Sequence, residues 1–94
     1  MSFEIPLLII SFNRPKLIYN QLNFLKNLAP LKLYIFSDGP RANIYSDIDK
    51  VNKCRFLFKN KINWECDKYF KFEIMNKGCG LGVSEAITWF FNNE

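Results

Sequence analysis

The amino-acid sequence predicts an α/β fold in which helices cover a mostly parallel sheet. Apolar side chains switch between strand-like and helix-like spacing along the 94 residues, in the order β-α-β-α-β-α. The segments between successive predicted strands are long enough for the right-handed helical crossovers that parallel strands require. Each predicted strand is followed at once by polar or glycine residues, which is typical of the ligand-binding edge of such a sheet.

The first strand is expected at Ile5 to Ser11, where the nearly unbroken apolar run IPLLIIS suits a parallel strand buried on both faces. Pro15 then begins the first helix, since proline is tolerated in the first helical turn. Apolar residues recur at helical spacing from Ile18 onward, and the helix is expected to stop at Pro30.

The second strand is expected at Leu31 to Ser37, which runs directly into the turn sequence Asp38-Gly39-Pro40. A second helix follows, whose apolar stripe consists of Ile44, Ile48, Val51, Cys54 or Arg55, and Phe58. Its basic residues Lys50, Lys53, Arg55, Lys59 and Lys61 are expected to form a solvated face. Asp47 is expected to cap this helix or to lie in solvent.

The third strand is expected at Tyr69 to Met75, where apolar and charged residues alternate as in a half-exposed strand. A glycine-rich segment, Asn76 to Gly82, then leads into a final helix that presents Val83, Ala86 and later apolar residues. These elements form a three-layer, Rossmann-like half-sheet over residues 1–94, which we interpret as one incomplete domain.

The predicted strand order 3-2-1 leaves the first strand at an edge, although its apolar run carries none of the charges that normally protect an edge. We therefore expect a neighbour on that side, which is either a missing C-terminal half or another subunit.

Composition excludes several classes of function. The chain contains no histidine and no CxxC pair among its 3 cysteines, so a Cys/His zinc site and Ser-His or Cys-His nucleophiles are not expected. The net charge of +4 does not predict a nucleic-acid partner, because the aromatic residues fall at core-like spacings. No apolar run is long enough to span a membrane, and a cytoplasmic protein is expected. Neither GxGxxG nor GxxxxGK[ST] is present, which disfavours dinucleotide and P-loop enzymes.

Polar residues that follow the three strands are expected to meet at one edge of the sheet, where they would form a ligand site. An acid after the second strand can accept hydrogen bonds from a base or a ribose, an arginine after the first can bind a phosphate, and glycines allow close backbone approach. The predicted site residues are Ser11, Asn13, Arg14, Asp38, Gly39, Asn76, Lys77, Gly78 and Gly80.

The segments SFNRPKLI, FSDGPR and NKGCGLGVSEAITWFF, in this order, resemble the start of a bacterial glycosyltransferase of the GT-A fold, and the resemblance covers essentially all 94 residues. It implies a nucleotide-diphospho-sugar transferase domain. In that family the first two loops hold the base and ribose, which here falls on Ser11, Asn13, Arg14 and Asp38. The third segment lies along the nucleotide-sugar site, and its residues here are Asn76, Lys77, Gly78 and Gly80.

The family's enzymes continue into a DxD-like motif that binds Mn²⁺ or Mg²⁺ and into an acceptor-binding half, and neither is assigned before Glu94. Asp47-Ile48-Asp49 has the D-x-D spacing, but it lies on the predicted second helix, where it is expected to cap the helix or to lie in solvent. The resemblance therefore implies a nucleoside-diphosphate sugar as ligand, no catalytic residue or metal bound by this chain alone, and no turnover without the missing half. A non-catalytic interaction module that pairs through its first strand is the alternative, and a small basic nucleic-acid binder is a third.

Overall fold

The computed structural model describes residues 4–94 and contains the six predicted elements in the predicted order. The strands are β1 (Leu7–Ser11), β2 (Lys32–Ser37) and β3 (Asp67–Phe72). The helices are α1 (Pro15–Leu28), α2 (Tyr45–Asn60) and α3 (Cys79–Asn93). The prediction of an α/β, Rossmann-like half-sheet is confirmed.

The three strands form one parallel sheet in the order β1-β2-β3, so β2 is central and β1 lies at an edge. Ile9 pairs with Ile35 in the first ladder, and Ile35 pairs with Phe70 in the second. Ser11 and Ser37 lie side by side at the carboxyl ends of β1 and β2. The strand order predicted from the sequence is therefore correct.

Helices α1 and α2 cover one face of the sheet. Alternate residues of β1 and β2, such as Ile9, Leu33 and Ile35, form with these helices a buried core. The helices contribute Ile18, Leu22, Cys54 and Phe58 to this core, and Ile62 follows α2. Cys54, rather than Arg55, occupies the buried position of the α2 stripe.

Helix α3 covers the other face of the sheet, to which β2 contributes Tyr34 and Phe36. The Tyr34 ring stacks on Tyr69 of β3 with ring centroids 4.8 Å apart, and it meets Trp89 and Phe90 of α3 edge to face. The Tyr34 hydroxyl donates a hydrogen bond to the Glu94 carboxylate. This hydrogen bond and burial favour the neutral phenol, and together they raise the pKa of Tyr34 to about 12. These contacts fasten the end of α3 to the centre of the sheet.

Three element boundaries differ from the prediction. β1 begins at Leu7, and Ile5 is exposed to solvent. β3 occupies Asp67–Phe72 rather than Tyr69 to Met75, because its ladder with β2 ends where Ser37 pairs with Phe72 and β2 turns away at Asp38. α3 begins at Cys79, so Gly80 and Gly82 belong to its first turns rather than to the loop before it.

None of the helices between Glu4 and Glu94 is long and apolar enough to span a membrane.

Candidate functional site

A cleft of about 630 Å³ opens at the carboxyl ends of β1 and β2. Its floor is formed by the strand ends Ser11 and Asp38 and by the ring of Phe36. The loop between β1 and α1 (residues 12–14) forms one wall, and the start of α3 (Gly78 to Val83) forms another. The arrangement follows from parallel pairing, which brings successive strand ends to one edge.

Asp38 organises the loop between β3 and α3. It is 6% exposed, and its Oδ1 accepts hydrogen bonds from the backbone N–H groups of Gly39 and Lys77 at 2.8 and 2.9 Å. Its Oδ2 accepts from the Gly78 N–H at 3.2 Å and from Asn76 Nδ2 at 3.3 Å. Both carboxylate oxygens are therefore engaged with the protein, and Asp38 fixes the position at which α3 begins.

Arg55 of α2 makes hydrogen bonds to the backbone at the same strand ends. Its Nη2 donates to the carbonyl oxygens of Ser37, Asp38 and Glu73 at 3.1, 3.2 and 2.7 Å, and its Nε donates to Ser37 Oγ at 2.9 Å. The guanidinium also lies 4.9 Å from the ring centre of Phe72, and burial lowers its pKa. The prediction that Arg55 belongs to a solvated face is therefore wrong.

Asp47 joins the first two loops beside the cleft. Its carboxylate accepts hydrogen bonds from Nε and Nη2 of Arg41 at 2.6 and 3.0 Å and from Asn13 Nδ2 at 3.0 Å. The Arg41 guanidinium holds the pKa of Asp47 well below its ordinary value, in opposition to burial. Asp47 is 1% exposed, so the prediction that it caps α2 or lies in solvent is wrong: the paired arginine makes its burial possible.

The first turn of α3, beside the cleft, contains backbone N–H groups without a helical acceptor. The first helical hydrogen bond runs from the Gly82 N–H to the Gly78 carbonyl, so the N–H groups of Cys79, Gly80 and Leu81 have no helical acceptor. No side chain caps this helix, and its first turn contains no acidic residue. Such a helix start favours an anion.

The glycines of the site have different roles. Gly78 has φ +84°, which L side chains rarely adopt. A Cβ on Gly39 would lie 2.6 Å from the Met75 carbonyl carbon, so glycine is needed for close backbone packing there. A Cβ on Gly82 would lie 3.4 Å from Asp38 Oδ2, whereas one on Gly80 would meet nothing within 4 Å.

Six of the residues predicted from sequence line the cleft, namely Ser11, Asn13, Arg14, Asp38, Asn76 and Gly78. Gly39, Lys77 and Gly80 do not line it. Lys77 Nζ instead pairs with Glu85 at 2.9 Å, which raises the Lys77 pKa. Arg14 is exposed, and its guanidinium makes no ion pair within residues 4–94.

The sequence interpretation missed Arg41, whose guanidinium lies 5.5 Å from the ring centre of Phe12 and which also lines the cleft. Arg41 follows the Asp38-Gly39-Pro40 turn by one residue, and Asp47 lies six residues further on. Arg41 ends the segment FSDGPR, but the contact between Arg41, Asp47 and Asn13 depends on how the first two loops lie together, which the local sequence does not show.

The residues from Glu4 to Glu94 include no group of three or more His, Cys, Asp or Glu side chains that could hold a metal ion. No chemical step is therefore assigned to a metal held by the described residues alone.

A scan against protein-family models, a search of curated proteins and a search of solved structures each found no match to this chain. The fold and the cleft define an α/β half-sheet with a cleft at its strand ends.

Proposed function

We propose that this chain is the nucleotide-binding portion of a glycosyltransferase, and that its cleft binds a nucleoside-diphosphate sugar. The reaction class is transfer of a sugar from that donor to an acceptor hydroxyl. No step of the transfer is assigned to a residue of this chain, whose part is to bind the donor. The observation that carries the proposal is the cleft at the carboxyl ends of β1 and β2, bordered by two arginines and the uncapped start of α3.

The charges around the cleft support a phosphorylated ligand. Arg14 and Arg41 both line it, but Arg41 is paired with Asp47, so Arg14 is the cation available to a phosphate. Among the described lining residues Asp38 is the one acidic side chain, and four hydrogen bonds from the protein occupy its oxygens. A diphosphate in the cleft beside Gly78 and Cys79 would lie near the positive end of α3. The exposed Arg14 supplies a guanidinium for a second phosphate or for a base carbonyl.

The size and shape of the cleft also support a nucleotide. A volume of about 630 Å³ lies in the range of small-molecule sites. The loop that contains Phe12 and Asn13 lies opposite α3, so a ligand can contact aromatic and amide groups on one side and backbone donors on the other.

The hydrogen bonds of Asp38 modify the role that the resemblance implies for it. Because both of its oxygens hold the β3–α3 loop, Asp38 acts in this proposal as a positioning residue that keeps the backbone donors of α3 in the cleft. Arg14 is the side chain that we expect to contact the ligand.

The experiment that tests the proposal is a thermal-shift titration of the purified chain with UDP, GDP, CMP and CDP, with and without Mn²⁺. At a concentration about ten times the Kd, one nucleoside diphosphate is expected to stabilise the fold by about 1.4 kcal/mol, which raises Tm by about 6–10 °C. The shift is expected to be the same without Mn²⁺.

Arg14→Met is expected to abolish most of that shift. Lys16→Met is the matched control, since Lys16 is an exposed cation two residues away that does not line the cleft. A folded protein whose Tm responds to none of the four nucleotides contradicts the proposal. An equal response of Arg14→Met and the parent protein removes Arg14 from the site.

A further inference from the structure

The outer edge of β1 carries backbone groups with no partner strand. The carbonyl of Ser11 accepts from the Asp38 N–H at 2.9 Å, so the backbone groups of Ser11 point towards β2. Since alternate residues of a strand point in opposite directions within a sheet, those of Leu8 and Ile10 point away from β2. Within residues 4–94 no strand pairs with this side of β1.

The edge is also apolar and uncharged. A groove of about 490 Å³ runs along it, lined by residues 7–10 of β1 and by Asn20, Gln21, Phe24 and Leu25 of α1. Ile10 is 40% exposed and Phe24 is 65% exposed. Among residues 4–94, no charged residue lines the groove, although charged residues make up 23% of the chain. A lack of charge is typical of the centre of protein interfaces.

We propose that a second copy of this chain occupies this edge, with its β1 antiparallel to the first and a two-fold axis through the Ile9 pair. The result is a continuous six-stranded sheet in the order 3-2-1-1-2-3. A two-fold axis between two identical edge strands requires them to run antiparallel, and the same surface is then used by both copies. This inference goes beyond the proposed function, and it does not depend on nucleotide binding.

The register follows from the strand itself. Pairing all five residues of β1 places Leu7 opposite Ser11, Leu8 opposite Ile10 and Ile9 opposite Ile9 of the second copy. In this register Leu8 of each copy lies opposite Ile10 of the other, and the backbone groups of both face the partner strand. Each such pair exchanges backbone hydrogen bonds, and one pair lies on each side of the axis. Shifting the axis to Leu8 would place Pro6 opposite Ile10, where proline has no N–H to donate.

The charges that flank the strand are complementary in the same register. Glu4 and Arg14 are the only charged residues between positions 4 and 14, and each lies five residues from Ile9. Both are exposed. Antiparallel pairing about Ile9 brings the end of β1 that follows Glu4 in each copy next to the end that precedes Arg14 in the other, so opposite charges flank both ends of the shared ladder. A chain of net charge +4 thus has one face that attracts its own copy.

Sedimentation velocity of the full chain, from about 5 to about 500 µM and without nucleotide, tests for the dimer in the range expected of a small interface. The expected result is a concentration-dependent change from the 11.2 kDa monomer to a species of twice that mass. A monomer at every concentration overturns the proposal, and so does co-purification of a different protein on this edge.

Exchange of charge tests the register. Glu4→Arg and Arg14→Glu each convert two attractive pairs into two repulsive pairs, so each is expected to raise the dimer Kd about tenfold. The double variant restores opposite charges and is expected to return to within about threefold of the parent value. Lys50→Glu, an equal change of charge on the exposed side of α2, serves as the control. A Kd that does not respond to the single reversals overturns the register.

Amide hydrogen exchange identifies the surface directly. The Leu8 and Ile10 amides are expected to exchange rapidly in the monomer and to become protected as the dimer forms, whereas the Ile9 amide faces β2 and is protected in both. A dimer in which Leu8 and Ile10 continue to exchange at the monomer rate uses another surface and overturns the proposal.

Discussion

Arg55 donates hydrogen bonds to the backbone carbonyl groups at the strand ends next to the cleft. One guanidinium nitrogen donates to carbonyl oxygens from β2, from the loop after it and from the residue that follows β3. A lysine at this position keeps the charge but is shorter and has no Nε–H for Ser37 Oγ, so it cannot make all of these hydrogen bonds together. The carbonyl groups of Asp38 and Glu73 would lose this donor, whereas that of Ser37 would keep the Glu73 N–H.

Arg55→Lys is therefore expected to lower the free energy of unfolding by about 2–3 kcal/mol, measured by urea denaturation. Lys50→Met, on the exposed side of the same helix, is expected to change it by less than about 0.5 kcal/mol. Equal stability of Arg55→Lys and the parent chain would show that water replaces these hydrogen bonds without loss.

Asp47 makes the stability of the fold depend on pH. Because its folded-state pKa lies below the ordinary value of 3.8, the ionised carboxylate stabilises the folded state above that pH. This contribution is lost as the pH falls below 3.8 towards the folded-state pKa. The loss loosens the contact between the first two loops, since Asn13 and Arg41 then bind a neutral acid.

Asp47→Asn is expected to be less stable than the parent chain at about pH 6, with a smaller difference at about pH 2.5, where the Asp47 carboxyl is largely protonated in the unfolded state and part of its contribution is already lost. Urea denaturation at the two pH values measures the gap. Asp49→Asn is the control, because Asp49 is exposed and pairs only with Lys53 of the same helix. A gap that stays constant with pH would assign the effect to shape rather than charge.

At the scale of elements, the sequence correctly predicts those strand and helix boundaries that depend on the residues nearby in the chain. β2 was expected at Leu31 to Ser37 and lies at Lys32–Ser37, because its apolar run and its turn both belong to the same short segment. The end of β3 was missed because it is set by the distant turn of β2. The start of α3 was missed because glycines disfavour helix in isolation, and tertiary contacts with Asp38 decide the outcome here.

The same distinction holds for the site. Most of the predicted residues reach the cleft because parallel strands end at one edge, which the element order already implies. The burial of Asp47 and Arg55 could not be predicted, since their polar character suits solvent until α2 is placed beneath the strand ends. Gly39 was predicted as a site residue, but in the structure it packs closely against the backbone of Ile74 and Met75 and does not line the cleft.

Substitution by alanine distinguishes the roles of the two glycines at the start of α3, Gly78 and Gly80. Gly78→Ala is expected to cost about 1–3 kcal/mol, because its positive φ is strained for any residue with a Cβ. Gly80→Ala is expected to raise stability by up to about 1 kcal/mol, since it lies within the helix beside open space. Urea denaturation of both variants checks this, and a stabilising Gly78→Ala would contradict the assigned backbone geometry.

At the scale of the whole molecule, the sheet is unevenly protected. One face packs against two helices and the other against one, while the outer side of β1 has no neighbour within residues 4–94. A chain of this size buries a modest share of its surface, so an additional interface contributes noticeably to its stability.

If the β1 edge pairs two copies, Tm must depend on protein concentration. Each tenfold increase is expected to add about 0.7 kcal/mol per chain and to raise Tm by about 3–5 °C, measured by calorimetry. Glu4→Arg is expected to lower Tm at a fixed intermediate concentration. A Tm independent of concentration, in a protein shown to be folded, would contradict pairing at this edge.

The three cysteines differ in solvent accessibility, so one of them can be labelled selectively. Cys54 is buried in the core, and burial raises the pKa of both Cys54 and Cys66, which disfavours their reactive thiolates. Cys79 is exposed and lines the cleft at the first residue of α3. A maleimide dye is therefore expected to label Cys79 first, and its emission would report directly on anything that enters the cleft.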